Sequence, residues 1–456
     1  MKSEIAFSSQ GSRATWRRLL GLLWLLVVNL VSIPIAIAQE TDAELAFDRA
    51  QYLEALDQVF ETVKDTHWDA ELIERVWIPS REKYVDRMHQ ADSRDQAIDV
   101  LQEMLNELKQ SHFHIIPTQI YAEQDKVVEQ GGEGWSGLTF RMVSERLVVT
   151  QVAPNSPAEQ AGIQVGWVLE RVRNVANDKT TTEAKILEIA NKSEKSGTYS
   201  KATLAAILAA AMTSGTMGDT LELTMLDNQD QSQNIMLELA QGPGQPTKLG
   251  HLPTTYVNFV YRQLPNRIGY IQFNVFLDAP RLIKQYQASL LNEYNLRGVV
   301  IDLRGNGGGL LVLAMGMSGW FVDESHSLGK MRNKDGTFKL TINPRNPRFD
   351  KPVAILVDEC SMSCAELFPG GLQELKAAKI FGNRTAGKVI PSQVVKLPTG
   401  DGFQYGLSSL ESEAGYVWEG NGVQPDELIV LTRGLLQRDP DPVLTAALKW
   451  IAETGR

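Results

Sequence analysis

Cysteine is nearly missing from this chain, with two in 456 residues, Cys360 and Cys364. A disulfide-stapled fold is thereby excluded, and a single bridge is the most that could form. The pair spans four residues across an expected strand-to-helix turn, a spacing that strains a bridge and leaves free thiols as the favoured reading. Histidine is scarce too. Its six copies are scattered, with no His-x-x-x-His or Cys-x-x-Cys spacing, so no metal site is legible and no cofactor is implied. Clustered basic charge is also lacking, and the formal net charge is −10, which argues against nucleic acid as a partner. What is there is an ordinary globular composition, 43% hydrophobic and 22% charged, in a chain long enough for two or three domains.

The long apolar run near the N-terminus, Leu19 to Ile37, follows Arg13, Arg17 and Arg18 and ends in Ala36-Ile37-Ala38. A basic flank, an apolar stretch and a small-x-small ending are the parts of a Sec-type signal peptide over residues 1–38, cleaved before Gln39. An uncleaved membrane anchor is the alternative, because the run approaches spanning length. Export to the periplasm or the cell exterior is the expectation, with an organelle lumen also compatible. Any membrane contact is then confined to this signal or anchor. Residues 1–38 carry a net +3, so the processed chain would stand near −13.

Residues 41–128 read as helical. Thr41-Asp42-Ala43-Glu44 has the form of a capping box, and Tyr52, Leu53, Leu56, Val59, Phe60 and Val63 share one helical face. Ile98, Leu101, Leu105 and Leu108 repeat that pattern. The segment closes on Ser111-His112-Phe113-His114. From Glu129 the periodicity turns strand-like through Leu138, Phe140 and Leu147-Val148-Val149, with an alanine-rich helix from Thr203 to Met212. Two strands around an Asp227-Asn228 turn follow. Ser136-Gly137-Leu138-Thr139-Phe140 and Asn155-Ser156-Pro157-Ala158-Glu159-Gln160-Ala161-Gly162-Ile163 make residues 129–240 resemble a PDZ domain. That resemblance implies that Gly137, Leu138 and Phe140 border a groove where a peptide's C-terminus adds as a strand. Gly166-Trp167 departs from the family's usual Gly-Asp, and a plain β domain without a groove is the alternative.

Residues 241–265, with four prolines and three glycines, read as a linker. Residues 266–456 then alternate apolar strands and helices, an α/β layered core. The clearest strands are Ile268–Phe273, Gly298–Leu303 and Val353–Val357. The clearest helices are Ile283–Tyr294 and Ala365–Lys376. The chain as a whole is thus an α/β multidomain protein. Three segments of the core carry chemistry. Asp302-Leu303-Arg304-Gly305-Asn306-Gly307-Gly308-Gly309 is a glycine turn after a strand. Ser363 opens a helix after another, in Ser363-Cys364-Ala365-Glu366. Lys388 follows in Thr385-Ala386-Gly387-Lys388, 25 residues after the serine. A hydroxyl nucleophile, an amine base and backbone N–H groups for an oxyanion make a serine hydrolase. Singly each is weak, since Ser-x-x-Glu is also an ordinary helix cap.

Together they resemble the C-terminal processing peptidases, also called tail-specific proteases. The glycine turn is similar to that family's Asp-Leu-Arg-x-Asn-x-Gly-Gly, and Ser361-Met362-Ser363-Cys364-Ala365-Glu366 to its serine run. Thr385 to Lys388 is similar to its Thr-Phe-Gly-Lys, and Gly420 to Asp426 to its closing Gly-x-x-Pro-Asp. The resemblance covers about residues 45–445. It implies a ClpP/crotonase-like core, Ser363 as nucleophile, Lys388 as base, and an oxyanion hole from the N–H groups of Gly308 and Cys364. It places Glu374 where some members carry a supporting Asp, and Gln393, one place late, where a glutamine steadies the lysine. Polypeptides, held by their C-terminal tails, are the implied substrates. Ser361 and Cys364 remain alternative nucleophiles. Val389-Ile390-Pro391 stands where a glycine commonly follows the lysine. Ser111-His112 resembles the segment from which tricorn-type proteases take a histidine base, so His112 is the alternative base. An inactive peptide- or ligand-binding protein on the same scaffold is the reading from another class, and an exported adaptor using only its PDZ-like part is a third.

Overall fold

A computed structural model describes residues 47–454 except 197–198 and 292–294. The expected signal and the Thr41–Glu44 capping box lie outside the described residues.

The N-terminal region opens with helices α1 (Arg49–Thr66), α2 (Ile78–Gln90) and α3 (Arg94–Asn106). Asp48 caps α1 by accepting from the Ala50 N–H at 2.9 Å, and Ser93 caps α3. The expected apolar face of α1 is buried, with Leu56 and Val59 fully enclosed. The region also contains a strand, β1 (His114–Ile116), and helix α4 (Thr118–Glu129).

The middle unit has strands β2 (Leu138–Val143), β3 (Arg146–Val152) and β4 (Val168–Asn174), helices α5 (Glu183–Ser196) and α6 (Lys201–Met212), and strands β5 (Thr220–Leu226) and β6 (Ser232–Glu238). They form an antiparallel sheet in the order β2-β3-β4-β5-β6. Leu138 and Phe140 face its core with Leu204 and Leu208 of α6.

The core comprises β7 (Phe259–Leu264), β8 (Ile268–Phe273), α7 (Ala279–Leu291), β9 (Gly298–Asp302), α8 (Leu311–Ser318), β10 (Val353–Val357), α9 (Cys364–Glu374), β11 (Lys379–Gly382), β12 (Ser392–Lys396), β13 (Gly402–Gly406), β14 (Glu427–Leu428) and α10 (Pro442–Thr454). Its six-stranded sheet runs β7-β8-β9-β10-β11-β14, antiparallel only between β7 and β8. β9 and β10 are buried along their whole length, because helices cover both faces. Val299, Ile301 and Ile355 turn toward α7, α8 and α9, while Val300, Ala354 and Leu356 turn toward α10. The segment expected as a linker departs from expectation. Its Phe259–Leu264 portion is β7, the edge strand of the main sheet.

The N-terminal helices are packed onto the core. β1 pairs with β13, which pairs with β12, and Phe403 and Tyr405 enter the helical cluster. At that junction Asp401 is fully buried and accepts from Arg94 at 2.5 Å, Tyr52 Oη at 3.1 Å, the Thr118 N–H at 2.9 Å and Thr399 Oγ1 at 2.6 Å. Removing one partner of such a pair strands the other charge. Asp401→Ala should therefore cost about 3–5 kcal/mol. The check is urea unfolding followed by tryptophan fluorescence, and a loss under 1 kcal/mol would contradict the assignment.

Candidate active site

The site gathers at the carboxyl ends of β9, β10 and β11, where loops leaving a parallel sheet converge. The loop after β10 ends in Ser363, which has φ 59° and ψ −119°. A non-glycine residue pays for that conformation with strain, which the surroundings must hold. Two hydrogen bonds do so: the Ser363 N–H donates to the Lys388 carbonyl at 2.8 Å and to Glu366 Oε2 at 3.1 Å. The Ser363 side chain is buried, and its Oγ has no hydrogen-bond partner.

The glycine turn lies directly against it. A Cβ on Gly308, which has φ +97°, would fall 2.5 Å from Ser363 Cβ and 2.9 Å from its Oγ, so only glycine fits there. Turn and loop are laced together. Ser361 Oγ donates to the Leu303 carbonyl at 2.7 Å, the Gly305 N–H to Asp358 at 2.9 Å, and the Met362 N–H to the Asn306 carbonyl at 3.0 Å. Ser361 is thereby committed to the scaffold while Ser363 is not. Arg141 of β2 reaches Asp358 at 2.6 Å, so the middle unit grips the start of the same loop. Both cysteines are free and buried, and burial raises their thiols above the ordinary range. A buried neutral thiol is a poor nucleophile.

The amine is delivered by the loop after β11. Lys388 is half-buried, and its Nζ stands 5.8 Å from the centroid of the Tyr199 ring. It is not hydrogen-bonded to Ser363 Oγ. Tyr199 also stacks on His114 at 6.5 Å with an interplanar angle of 8°. His112 is fully buried at φ 62°, and its Nδ1 lies 2.7 Å from Ser111 Oγ. The Ser111 N–H donates to Glu419 Oε1 at 3.1 Å, and Glu419 Oε2 accepts from the Val389 N–H at 2.7 Å. Burial, then the charges of His114 and Lys388, hold the His112 imidazole well below its usual range. Burial likewise takes His114 down to about 4.

One carboxylate joins Ser363 to Lys388. Glu366 Oε1 accepts from Thr385 Oγ1 at 2.5 Å and the Gly387 N–H at 2.7 Å. Its Oε2 accepts from the N–H groups of Lys388 at 2.8 Å and Ser363 at 3.1 Å. Burial pushes this carboxyl up to about 7 against the pull of those donors. Ser-x-x-Glu reads as a helix cap, and Glu366 is one, but it also clamps the lysine loop.

Ser363, Gly308, Cys364 and Lys388 are thus brought together, with His112 in the surrounding shell. Glu374 and Gln393 are not. Glu374 ends α9, about 16 Å along the helix from Ser363 at 1.5 Å per residue. It accepts from Ser412 Oγ and from the N–H groups of Glu413 and Ala414. Gln393 donates to Tyr405 Oη across the β12–β13 pair. Leu138 and Phe140 bury their side chains, and the Leu138 N–H donates to Ser136 Oγ at 3.3 Å. At this edge a peptide would therefore meet backbone, not those side chains. Tyr199 and Glu419 were missed because neither falls in a recognisable motif. A cavity of about 360 Å³ is lined by Arg141, Asp358 and Glu359 but not by Ser363, Gly308 or Lys388. Ser363 itself is buried.

A strained serine against a glycine turn, with an amine and an imidazole close by, is equipped for acyl transfer to a hydroxyl, the chemistry of serine hydrolases. Residues 267–429 match the model of Peptidase family S41. That stretch carries Gly308, Ser363 and Lys388, and the chain is a serine-type peptidase. Among relatives, a carboxyl-terminal-processing protease of Picosynechococcus sp. is 26% identical over 412 residues, covering 88% of each chain. A probable CtpA-like serine protease of Staphylococcus haemolyticus is 26% identical over 297 residues, which is 64% of this chain and 52% of that one. The chain thus spans about half the length of the staphylococcal relative. The fold is similar to the photosystem II D1 C-terminal processing protease, with TM-score 0.54 at 21% identity, covering 87% of this chain and 97% of that one. It is also similar to mature CPAF complexed with lactacystin, with TM-score 0.52 at 13% identity, covering 89% and 98%.

Proposed function

We propose that this chain is an exported endopeptidase that cuts polypeptides near their C-termini by a Ser363–Lys388 dyad. The observation that carries the reading is Ser363 itself: strained, unpartnered at Oγ, and tied through its own N–H to the lysine's carbonyl. The Lys388 amine moves off the Tyr199 ring onto Oγ and takes its proton. Oγ adds to the scissile carbonyl, and the N–H groups of Gly308 and Cys364 receive the oxyanion. Collapse expels the C-terminal fragment as an amine, which takes the proton back. Water, activated by the same amine, then releases the acyl group. The middle unit, read as PDZ-like, would hold the substrate tail. Its contacts through Tyr199 and Arg141 give tail binding a route to the base and to the nucleophile loop. The core on this reading is ClpP/crotonase-like, and the protein works in the periplasm or outside the cell.

A second reading has its own support. The chain from Glu419 through Ser111 to His112 holds an imidazole beside the lysine loop, where a histidine base could act.

The reading is tested by incubating the purified chain with a fluorophosphonate and with an unfolded protein substrate. The expected result is a single adduct on Ser363 and fragments sharing new C-termini, both absent from Ser363→Ala. An adduct elsewhere, or cutting by folded Ser363→Ala, would contradict it.

A further inference from the structure

The N–H assigned to the oxyanion is already occupied. Gly308 donates to Asn306 Oδ1 at 2.9 Å. Asn306 is fully buried, and its carboxamide cannot turn freely, because Nδ2 donates to the Phe273 carbonyl at 2.7 Å. The flanks of the turn are pinned as well. The Phe276 N–H donates to the Gly308 carbonyl at 2.6 Å, the Gly307 N–H to the Asn274 carbonyl at 3.2 Å, and Cys364 Sγ to the Gly309 carbonyl at 3.3 Å. Among the described residues no hydrogen bond holds the Gly307 carbonyl. The peptide between Gly307 and Gly308 is therefore the loose unit of a tethered turn, with glycine on both sides.

We propose that Asn306 is a positioning residue that parks the oxyanion donor. The Gly308 N–H rests on Asn306 Oδ1 while the site is empty and transfers to the oxyanion when an acyl group reaches Ser363. A bond to a charged oxygen is roughly twice as strong as one to an amide, so the oxyanion draws the N–H away and the ground-state carbonyl does not. The resting bond keeps a buried donor satisfied in an empty site and sets back formation of the hole until substrate is in place. This inference rests on Ser363 being the nucleophile.

The test uses the full chain labelled with [1-13C,15N]-glycine. Only amides of glycines that follow glycine then show one-bond carbonyl coupling, and the sequence has four: Gly132, Gly308, Gly309 and Gly371. On fluorophosphonate modification of Ser363, the Gly308 amide should move strongly downfield and Gly309 should not. Folded Asn306→Ala should show a shifted Gly308 amide before modification. It should also be modified faster, by roughly three- to tenfold, because a competing acceptor of ordinary strength is gone. A purely structural asparagine gives the opposite sign, slower modification. Slower modification of the folded variant, a Gly308 amide that stays put, or movement of Gly309 in its place would each overturn the proposal. If Asn306→Ala does not fold, the spectrum of the unsubstituted protein decides alone. Absence of any Ser363 adduct overturns both this proposal and the nucleophile assignment, whereas an adduct without Gly308 movement overturns only this one.

Discussion

Replacing Lys388 by alanine should lower kcat on an unfolded protein by on the order of 10⁴-fold or more, the scale seen when a nucleophile's base is removed, with KM nearly unchanged. His112→Ala in the same assay should cost about tenfold at most. The difference follows from where each base stands. Lys388 shares a backbone hydrogen bond with Ser363, and its side chain is half-buried, not enclosed. His112 is fully enclosed, and burial makes its imidazole a weak base, poorly matched to the proton of an alcohol. Glu419→Gln is no clean test by itself. Glu419 holds the Ser111 N–H of the histidine segment and also the Val389 N–H next to Lys388. The pair decides: folded Lys388→Ala keeping a tenth of the rate, with His112→Ala silent, would move the chemistry to the histidine.

The core was legible because its strands are buried on both faces and read as apolar runs. Ile268–Phe273 was placed at its observed bounds, and the helix after Ser363 was placed within a residue or two. The edge strand Phe259–Leu264 was not, because a strand with one neighbour needs no continuous apolar run and sits among prolines. Ser363, Gly308 and Lys388 stood out because their motifs resemble those of the C-terminal processing peptidases, and each occupies a loop after a strand. The residues that hold them could not. Glu366 shows only its cap role in sequence. Glu419 and Tyr199 reach the site from more than fifty and more than one hundred and sixty residues away from Ser363. Asn306 stands inside the glycine motif, but its parking bond to Gly308 is a matter of geometry alone.

Glu366→Gln should be nearly as damaging as loss of a catalytic group, although it changes one atom and keeps the shape. All four hydrogen bonds to this side chain are received, none given. A glutamine must turn its NH₂ toward one pair of donors, either Thr385 and Gly387 or Ser363 and Lys388. Two buried donors then lose their acceptor at about 1–3 kcal/mol each, and the strained serine or the lysine loop shifts. The expected fall in kcat is roughly 10²–10³-fold, with fluorophosphonate modification of Ser363 slowed in parallel. The same clamp fixes a pH dependence. Protonating Glu366 puts a hydrogen where only acceptors fit, so the rate should drop below about pH 7, the value to which burial raises this carboxyl. Stability should move the other way. A carboxyl whose folded pKa lies above its ordinary 4.5 binds its proton more tightly in the folded chain. Its contribution is complete below about 4.5 and is lost as pH climbs through 7. The unfolding free energy of the unsubstituted protein relative to Glu366→Gln should therefore decline across that interval while the rate rises. A flat difference across the interval, or a glutamine variant with half the original activity, would mean that the clamp is not an ionised carboxylate. Opposed slopes would mean that the enzyme keeps a buried charge that costs it stability because both Ser363 and Lys388 hang from it.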